Sequence, residues 1–230
     1  MGNLSELEKI IDYEFKDQEL LRKAMTHSSY ANERKINKIE CNERLEFLGD
    51  AVLEMISSNF LFHQFSKMPE GDLSRIRASL VCETALAECA KKISLGDYIF
   101  LGKGEASGGG REKASVTSDA FEALIGAMFL DGGIAAAEKF VLSNVLSDAK
   151  EKMELYDSKS VLQELIQQKK NAEPIRYQII GEKGPEHQKE FVVQVLIGES
   201  VYGQGTGKNK KTAEKMAALE AVHKLRGKTN

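Results

Sequence analysis

Apolar residues recur at helical spacing through the first two thirds of the chain and at strand spacing in the last third. Leu20, Leu21, Ala24, Met25 and Ser28 predict a helix over 17–31, preceded by a shorter one over 4–11, with a break at Asp12-Tyr13. The polar stretch 32–42 predicts a loop. Leu45, Leu48, Val52 and Ile56 then predict a helix over roughly 42–63. Pro69-Glu70-Gly71 reads as a turn, and Asp72 or Ser74 can cap a helix reaching about residue 92. Glycines at 96, 102, 104, 108, 109 and 110 predict a loop over 96–112, with no Walker A spacing in it. Ser118 to Leu130 is apolar on nearly every helical face, which predicts burial. Asp131-Gly132-Gly133 should stop that helix, and another follows over 134–153.

The pattern then changes. Residues 148–156 are charged and lack a strong apolar period, so a linker is expected there. Val161, Leu162, Leu165 and Ile166 predict a helix over 159–170; strand-like runs follow at 175–181, 190–197 and 200–204, then a helix over about 209–225. The expected fold is an all-α domain over 4–133, with a helical extension to about 150, followed by a small α+β domain of order αβββα over 157–226.

Charge follows the same division. Residues 1–156 hold 19 Lys and Arg against 26 Asp and Glu (−7), while 157–230 hold 13 against 9 (+4), within a total of −3. An acidic front half suits cations, and a basic back half suits a polyanion. Cys41, Cys82 and Cys89 show neither a CxxC pair nor zinc spacing, so no disulfide framework or structural zinc is expected. Met1-Gly2-Asn3-Leu4 leads directly into a charged amphipathic segment, and no uncharged apolar run is long enough to cross a bilayer. These features lead us to expect a cytoplasmic protein without a membrane partner.

The densest chemistry lies in Asn42-Glu43-Arg44-Leu45-Glu46-Phe47-Leu48-Gly49-Asp50. At about 100° per residue, Glu43, Glu46 and Asp50 share an arc of about 60°, opposite Leu45, Leu48, Val52 and Ile56. Carboxylates that close repel one another, and a hard cation such as Mg²⁺ relieves the repulsion. An ordinary surface helix with acids on one side gives a similar stripe, as Glu54 on the same arc illustrates. Phe47, near 40° on this wheel, stands apart from the aliphatic stripe and should cover the site or enter a partner. Asp119 and Glu122 lie a turn apart in the apolar 118–130 helix, where acids need a partner. Ser118 as N-cap would account for Asp119 but less well for Glu122.

Other candidates carry weaker signals. His27, near a helix end, reads first as structural. Arg75 and Arg77 suit phosphate or, equally, surface ion pairs. Lys208, Lys210 and Lys211 sit at the start of the last helix, where the dipole already favours anions, so an anionic partner is the better explanation for them. Gln163, Glu164 and His187 could reach ribose hydroxyls, or be ordinary exposed polar residues.

Both halves resemble known families, and together the chain is similar to bacterial ribonuclease III. The front resembles it in Asn42 to Asp50, Gly71-Asp72-Leu73-Ser74-Arg75-Ile76-Arg77, Leu101-Gly102-Lys103-Gly104-Glu105 and Asp119-Ala120-Phe121-Glu122-Ala123. The back resembles a double-stranded RNA-binding domain in Leu162-Gln163-Glu164, Pro174 with Tyr177, Gly184-Pro185 with His187, and Gly207 with Lys210-Lys211, Ala213 and Glu214.

The resemblance implies an all-α endonuclease domain joined to an αβββα RNA-binding domain. It implies a metal centre of Glu46, Asp50, Asp119 and Glu122, with Asp50 and Glu122 catalytic and Mg²⁺ the cofactor, Mn²⁺ serving as a substitute. Glu43 would contact RNA or support the site, and Phe47 would enter a pocket of the other subunit of a homodimer. Gln163, Glu164, His187, Lys208, Asn209, Lys210 and Lys211 would contact RNA. The products implied are 5′-phosphate and 3′-hydroxyl ends with short 3′ overhangs, and the expected targets are ribosomal RNA precursors and some mRNAs. No small-molecule cofactor is expected. Two departures stand out: Asn209 replaces the usual Ser, and Ser107 falls one place early.

Two competing readings remain at this point. A non-catalytic double-stranded RNA-binding protein would need no acid cluster. A di-iron helix bundle would need two ExxH motifs among core helices, and the chain has Glu220-Ala221-Val222-His223 alone.

Overall fold

A computed structural model describes residues 2–66, 68–147, 149–168, 173–185 and 189–227, with side chains at 149–154, 156 and 157 left aside. The chain forms two compact units, Met1–Ala149 and Lys150–Asn230.

The first unit is helical: α1 Leu4–Ile10, α2 Gln18–Ala24, α3 Ser28–Glu33, α4 Glu43–Gln64, α5 Glu70–Leu80, α6 Glu83–Lys92, α7 Lys103–Ser107 and α8 Ala114–Asn144. Its central contact is α4 against α8. Leu45, Val52, Leu53 and Ile56 of α4 are buried there, as are Ala120, Phe121, Ala123, Leu124, Ala127 and Met128 of α8. By length and composition α8 could cross a membrane, but half of that apolar stretch is buried inside the protein. Gly133 adopts φ 73° and kinks α8, so the stop expected at Asp131-Gly132-Gly133 appears as a change of direction. Asp131 pins this corner by accepting hydrogen bonds from Tyr13 Oη (2.7 Å), Lys16 N (3.1 Å) and Asp17 N (2.8 Å).

Four expectations need correction. The helix expected over 17–31 is two, because the 25–27 stretch leaves the helix to form a bridge between Thr26 and Phe100; the His27 amide donates to the Phe100 carbonyl at 3.1 Å. The helix expected over 72–92 is also two. The first part ends at Leu80, and Cys82, in extended backbone (φ −70°, ψ 156°), separates it from α6, which starts at Glu83. Part of the glycine-rich 96–112 segment is ordered as a 3₁₀ turn, Leu95–Tyr98, and as α7, whose start is tied down by Ser29 Oγ and Glu33 Oε2. The segment 148–156, expected as a linker, is helical from Ala149 onward.

The second unit contains α9 (Ala149–Gln167), the antiparallel sheet β1 (Ile175–Lys183), β2 (Glu190–Ile197) and β3 (Ser200–Gly207) in the order β1-β2-β3, and α10 (Lys210–Gly227). Leu162 and Ile166 of α9 pack with Val193, Val195 and Ile197 of β2 and with Ala213, Ala217, Ala218, Ala221 and Val222 of α10. Gly205 permits the close approach of β3 to α10, since a Cβ there would collide with the backbone of Ala213 and Ala217. The αβββα order is therefore as the strand and helix periods predict.

Candidate metal centre and nucleic-acid interface

The acid site forms where α4 crosses α8. Gly49 and Gly126 face each other across that crossing: a Cβ on Gly49 would overlap the Glu122 carbonyl, and one on Gly126 would overlap the Leu45 carbonyl. Two backbones in such contact bring the flanking side chains of both helices to one place. Carboxylate oxygens of Glu46, Asp119 and Glu122 all lie within 4.8 Å of one another, and all three residues are half-buried.

Burial and mutual repulsion raise their proton affinity. For Glu122 burial comes first, then the charges of Asp50, Glu46 and Asp119, pushing its pKa up to about 8. Burial, followed by Asp119, Glu43 and Asp50, raises Glu46. Asp119 is raised mainly by burial and further by Glu83; the Ser118 hydroxyl, 3.4 Å away, and His27 act in the opposite direction. Ser118 is not the N-cap weighed from sequence, because α8 begins at Ala114 after Lys113.

Asp50 is exposed and lies outside the group of three, yet its charge bears on Glu122 more than any other. Glu43 is exposed at the start of α4, beside Glu46. His27 caps α3 by accepting from Ser29 N at 3.2 Å, the structural part expected of it, while its charge also reaches Asp119. Glu83, at the start of α6, was not singled out from sequence. The unbroken helix expected there hid its place near Asp119.

The donors suit a hard divalent ion. Oxygens on one octahedral Mg²⁺ stand about 3.0 Å apart when adjacent and about 4.2 Å apart when opposite, at bond lengths of about 2.1 Å. Three carboxylates whose oxygens lie within 4.8 Å of one another come to those spacings by side-chain adjustment. Raised proton affinity is what uncompensated anions show when no cation is shared between them.

Arg75 and Arg77 are engaged in ion pairs here. Arg75 meets Asp72 at 3.1 Å; Arg77 meets Glu54 at 3.5 Å and donates to Ser58 Oγ at 2.7 Å. Phe47 is 81% exposed, and Met55 and Phe62 are also exposed on α4. Phe62 also lines a cavity of about 480 Å³, with Leu61, Leu73, Ser74 and Arg77 among its other walls.

In the second unit Gln163 and Glu164 are exposed on α9, and Lys208, Lys210 and Lys211 are exposed around the start of α10. Asn209 caps α10, its Oδ1 accepting from Thr212 N at 2.9 Å, so the residue replacing Ser keeps a capping oxygen. His187 lies outside the described residues. Lys159, not anticipated from sequence, pairs with Glu214 at 2.8 Å and sits 4.3 Å from the Tyr177 ring centroid.

Comparison with known proteins matches a Ribonuclease-III-like family over residues 17–149 and a Double-stranded RNA binding motif over 158–225. Ribonuclease 3 of Caldanaerobacter subterraneus subsp. tengcongensis is 46% identical over 225 residues, covering 96% of this chain and 98% of its own length. Ribonuclease 3 of Listeria welshimeri is 44% identical over 227 residues, covering 98% and 99%. The solved nuclease domain of ribonuclease III from Campylobacter jejuni superposes with a TM-score of 0.59 at 45% identity, covering 64% of this chain and 97% of that one. A second structure of that domain, described by flexibility in a region involved in dimer formation, gives 0.58 at 46%, covering 62% and 96%.

Proposed function

Since the chain belongs to the ribonuclease III family, and is a double-stranded RNA endoribonuclease on that ground, we propose that it works with Mg²⁺ and leaves 5′-phosphate and 3′-hydroxyl ends with short 3′ overhangs. The observation that carries the reading is the convergence of Glu46, Asp119 and Glu122 from two helices onto one spot. An inert scaffold gains nothing from half-buried acids that repel one another, and each costs stability unless an ion compensates it.

In this reading Glu46, Asp50, Asp119 and Glu122 hold the metal. When bound, a divalent ion would supply Lewis acidity, acidifying a water and offsetting charge on the scissile phosphate. Glu122, on the buried side, and Asp50, on the open side, flank the place where the phosphate would rest, and we assign these two the catalytic roles. Glu43 at the rim would contact RNA or support Glu46. Among the five acids and their surroundings, no Ser or Cys nucleophile is required.

The catalytic domain is taken as 4–133 with its helical extension, and the RNA-binding domain as 157–226. In the latter, Gln163, Glu164 and His187 would contact ribose or base edges, and Lys208, Asn209, Lys210 and Lys211 the phosphates. Recognition would rest on A-form shape, because such a domain spans about 16 bp and reads 2′-hydroxyls and phosphates more than bases. The active form would be a homodimer. Phe47, Met55 and Phe62 form one exposed apolar stripe, at about 40° to 120° on the α4 wheel, bordering the acids. Burying it against a second copy would place Phe47 in that copy's cavity of about 480 Å³. The natural targets would be ribosomal RNA precursors and some mRNAs in the cytoplasm.

The test is cleavage of an end-labelled duplex RNA with and without Mg²⁺, followed by end-group analysis. Metal-dependent cleavage to 5′-phosphate ends is expected. Binding without cleavage in Mg²⁺ or Mn²⁺ would favour a non-catalytic RNA-binding protein instead.

A further inference from the structure

His27 ties three segments of the first unit together beside the acid site. It follows α2, which packs against both acid-bearing helices, α8 and α4. Met25 and Thr26, immediately before it, are buried. The Thr26 carbonyl accepts from Asn42 N at 2.8 Å, one residue before Glu43, and the His27 amide donates to the Phe100 carbonyl at 3.1 Å. The half-buried ring is thereby held close enough to Asp119 for its charge to bear on that carboxylate, after burial, Ser118 and Glu83.

One edge of the ring is committed. Ser29 N donates to His27 Nδ1 at 3.2 Å, and Ser29 Oγ stands 2.8 Å from the same nitrogen. That hydroxyl accepts from Gly102 N at 3.0 Å, so its own proton is left to point at Nδ1. A backbone N–H can only donate, so Nδ1 carries the lone pair, and in the neutral ring the proton sits on Nε2.

Capping α3 uses the Nδ1 edge alone. Asparagine or serine would cap as well, so the cap does not account for an imidazole at this position. Among the described residues the ring's hydrogen bonds all fall on Nδ1, which leaves the Nε2–H unused by the cap. Carboxylates that hold a metal are themselves oriented by hydrogen-bond donors, and losing such a donor commonly weakens the site about 10–100-fold.

Resting on the metal-centre reading above, we propose that His27 is a positioning residue for Asp119, its Nε2–H directed at that carboxylate so that one oxygen is kept turned to the shared divalent ion. Ser29 and Gly102 fix the tautomer from behind. The glycine-rich segment therefore acts on the acid site through this ring.

Two substitutions separate positioning from capping in the full chain. His27→Asn keeps a capping oxygen and loses the distal donor, whereas His27→Gln keeps a distal donor and loses the cap. Mn²⁺ binding without RNA, followed by electron paramagnetic resonance, should weaken about tenfold in His27→Asn at an unchanged unfolding midpoint. His27→Gln should unfold earlier yet bind Mn²⁺ nearly as the unmodified chain does. In Mg²⁺, His27→Asn should lower kcat with KM for duplex RNA retained. Independently of how the variants fold, NMR of the unmodified chain should show the neutral His27 ring protonated on Nε2.

Unchanged Mn²⁺ affinity in His27→Asn overturns the proposal, as does a proton on Nδ1. Equal loss of affinity in both variants would reduce His27 to a cap. Failure of the unmodified chain to bind Mn²⁺ at all would overturn the metal reading as well, which separates the two.

Discussion

A Cβ at Gly49 would overlap the backbone carbonyl oxygen of Glu122. The residue between two acid positions of α4 is therefore pressed against the residue of α8 that carries the opposing acid. Site geometry is thus set by a backbone contact, and the carboxylates inherit it. Gly49→Ala should force α4 from α8 and cost about 1–3 kcal/mol, the usual range for overpacking a tight core. Denaturant unfolding should show that loss, and cleavage per folded molecule should fall with it. An alanine variant of unchanged stability would mean that the helices are not held this closely.

The raised proton affinities give the metal-free chain a distinctive pH dependence. Glu122 has its folded pKa at about 8, above its ordinary value of 4.5, so the folded state holds the proton more tightly than the unfolded state. The stability this lends is complete below about pH 4.5 and is lost as pH rises through about 8. Glu46 and Asp119 shift in the same direction. Asp12 and Asp131 are lowered, and their contribution disappears only on acidification. Thermal unfolding in a chelator should therefore show Tm falling from pH 5 to 8, with Glu122→Gln flattening the decline. Divalent ions should restore Tm most at the alkaline end, where the ligands are deprotonated. A Tm in chelator that rises over this interval would contradict the account.

Phe47→Asp tests the apolar stripe on α4. With 81% of Phe47 exposed in the single chain, the substitution should leave the fold intact. It should move the sedimentation equilibrium toward monomer. An unaltered dimer would place the subunit contact elsewhere.

For the basic end of α10, replacing Lys210 and Lys211 together by alanine should weaken binding to all duplexes alike. It should also reduce the salt slope by about two, one for each phosphate contact. Loss of affinity with the slope intact would point to a structural role for these lysines.

How far the site was legible follows from where its determinants lie. The acid arc of α4 is written in a single helical period, so Glu43, Glu46 and Asp50 could be grouped from sequence alone. Asp119 and Glu122 stood out because acids in an all-apolar helix demand a partner. That the partner is Glu46 depends on Gly49 meeting Gly126 across the crossing, a tertiary contact with no local signature. The helix breaks at 25–27 and at Val81-Cys82 escaped notice for a similar reason. Tertiary hydrogen bonding to Phe100 accompanies the first break and extended backbone at Cys82 makes the second, without Pro or Gly to mark either. In the second unit, strand alternation and the lysine run were plain, whereas the placing of Lys159 against Glu214 and the Tyr177 ring required the folded sheet.

The claim on which the rest depends is that Glu122 joins acids of α4 in holding a catalytic divalent ion. Multiple-turnover cleavage of a labelled RNA duplex by Glu122→Gln in Mg²⁺ tests it most directly, with duplex binding measured alongside. Cleavage should collapse by several orders of magnitude while binding is retained; turnover near that of the unmodified chain would contradict the account.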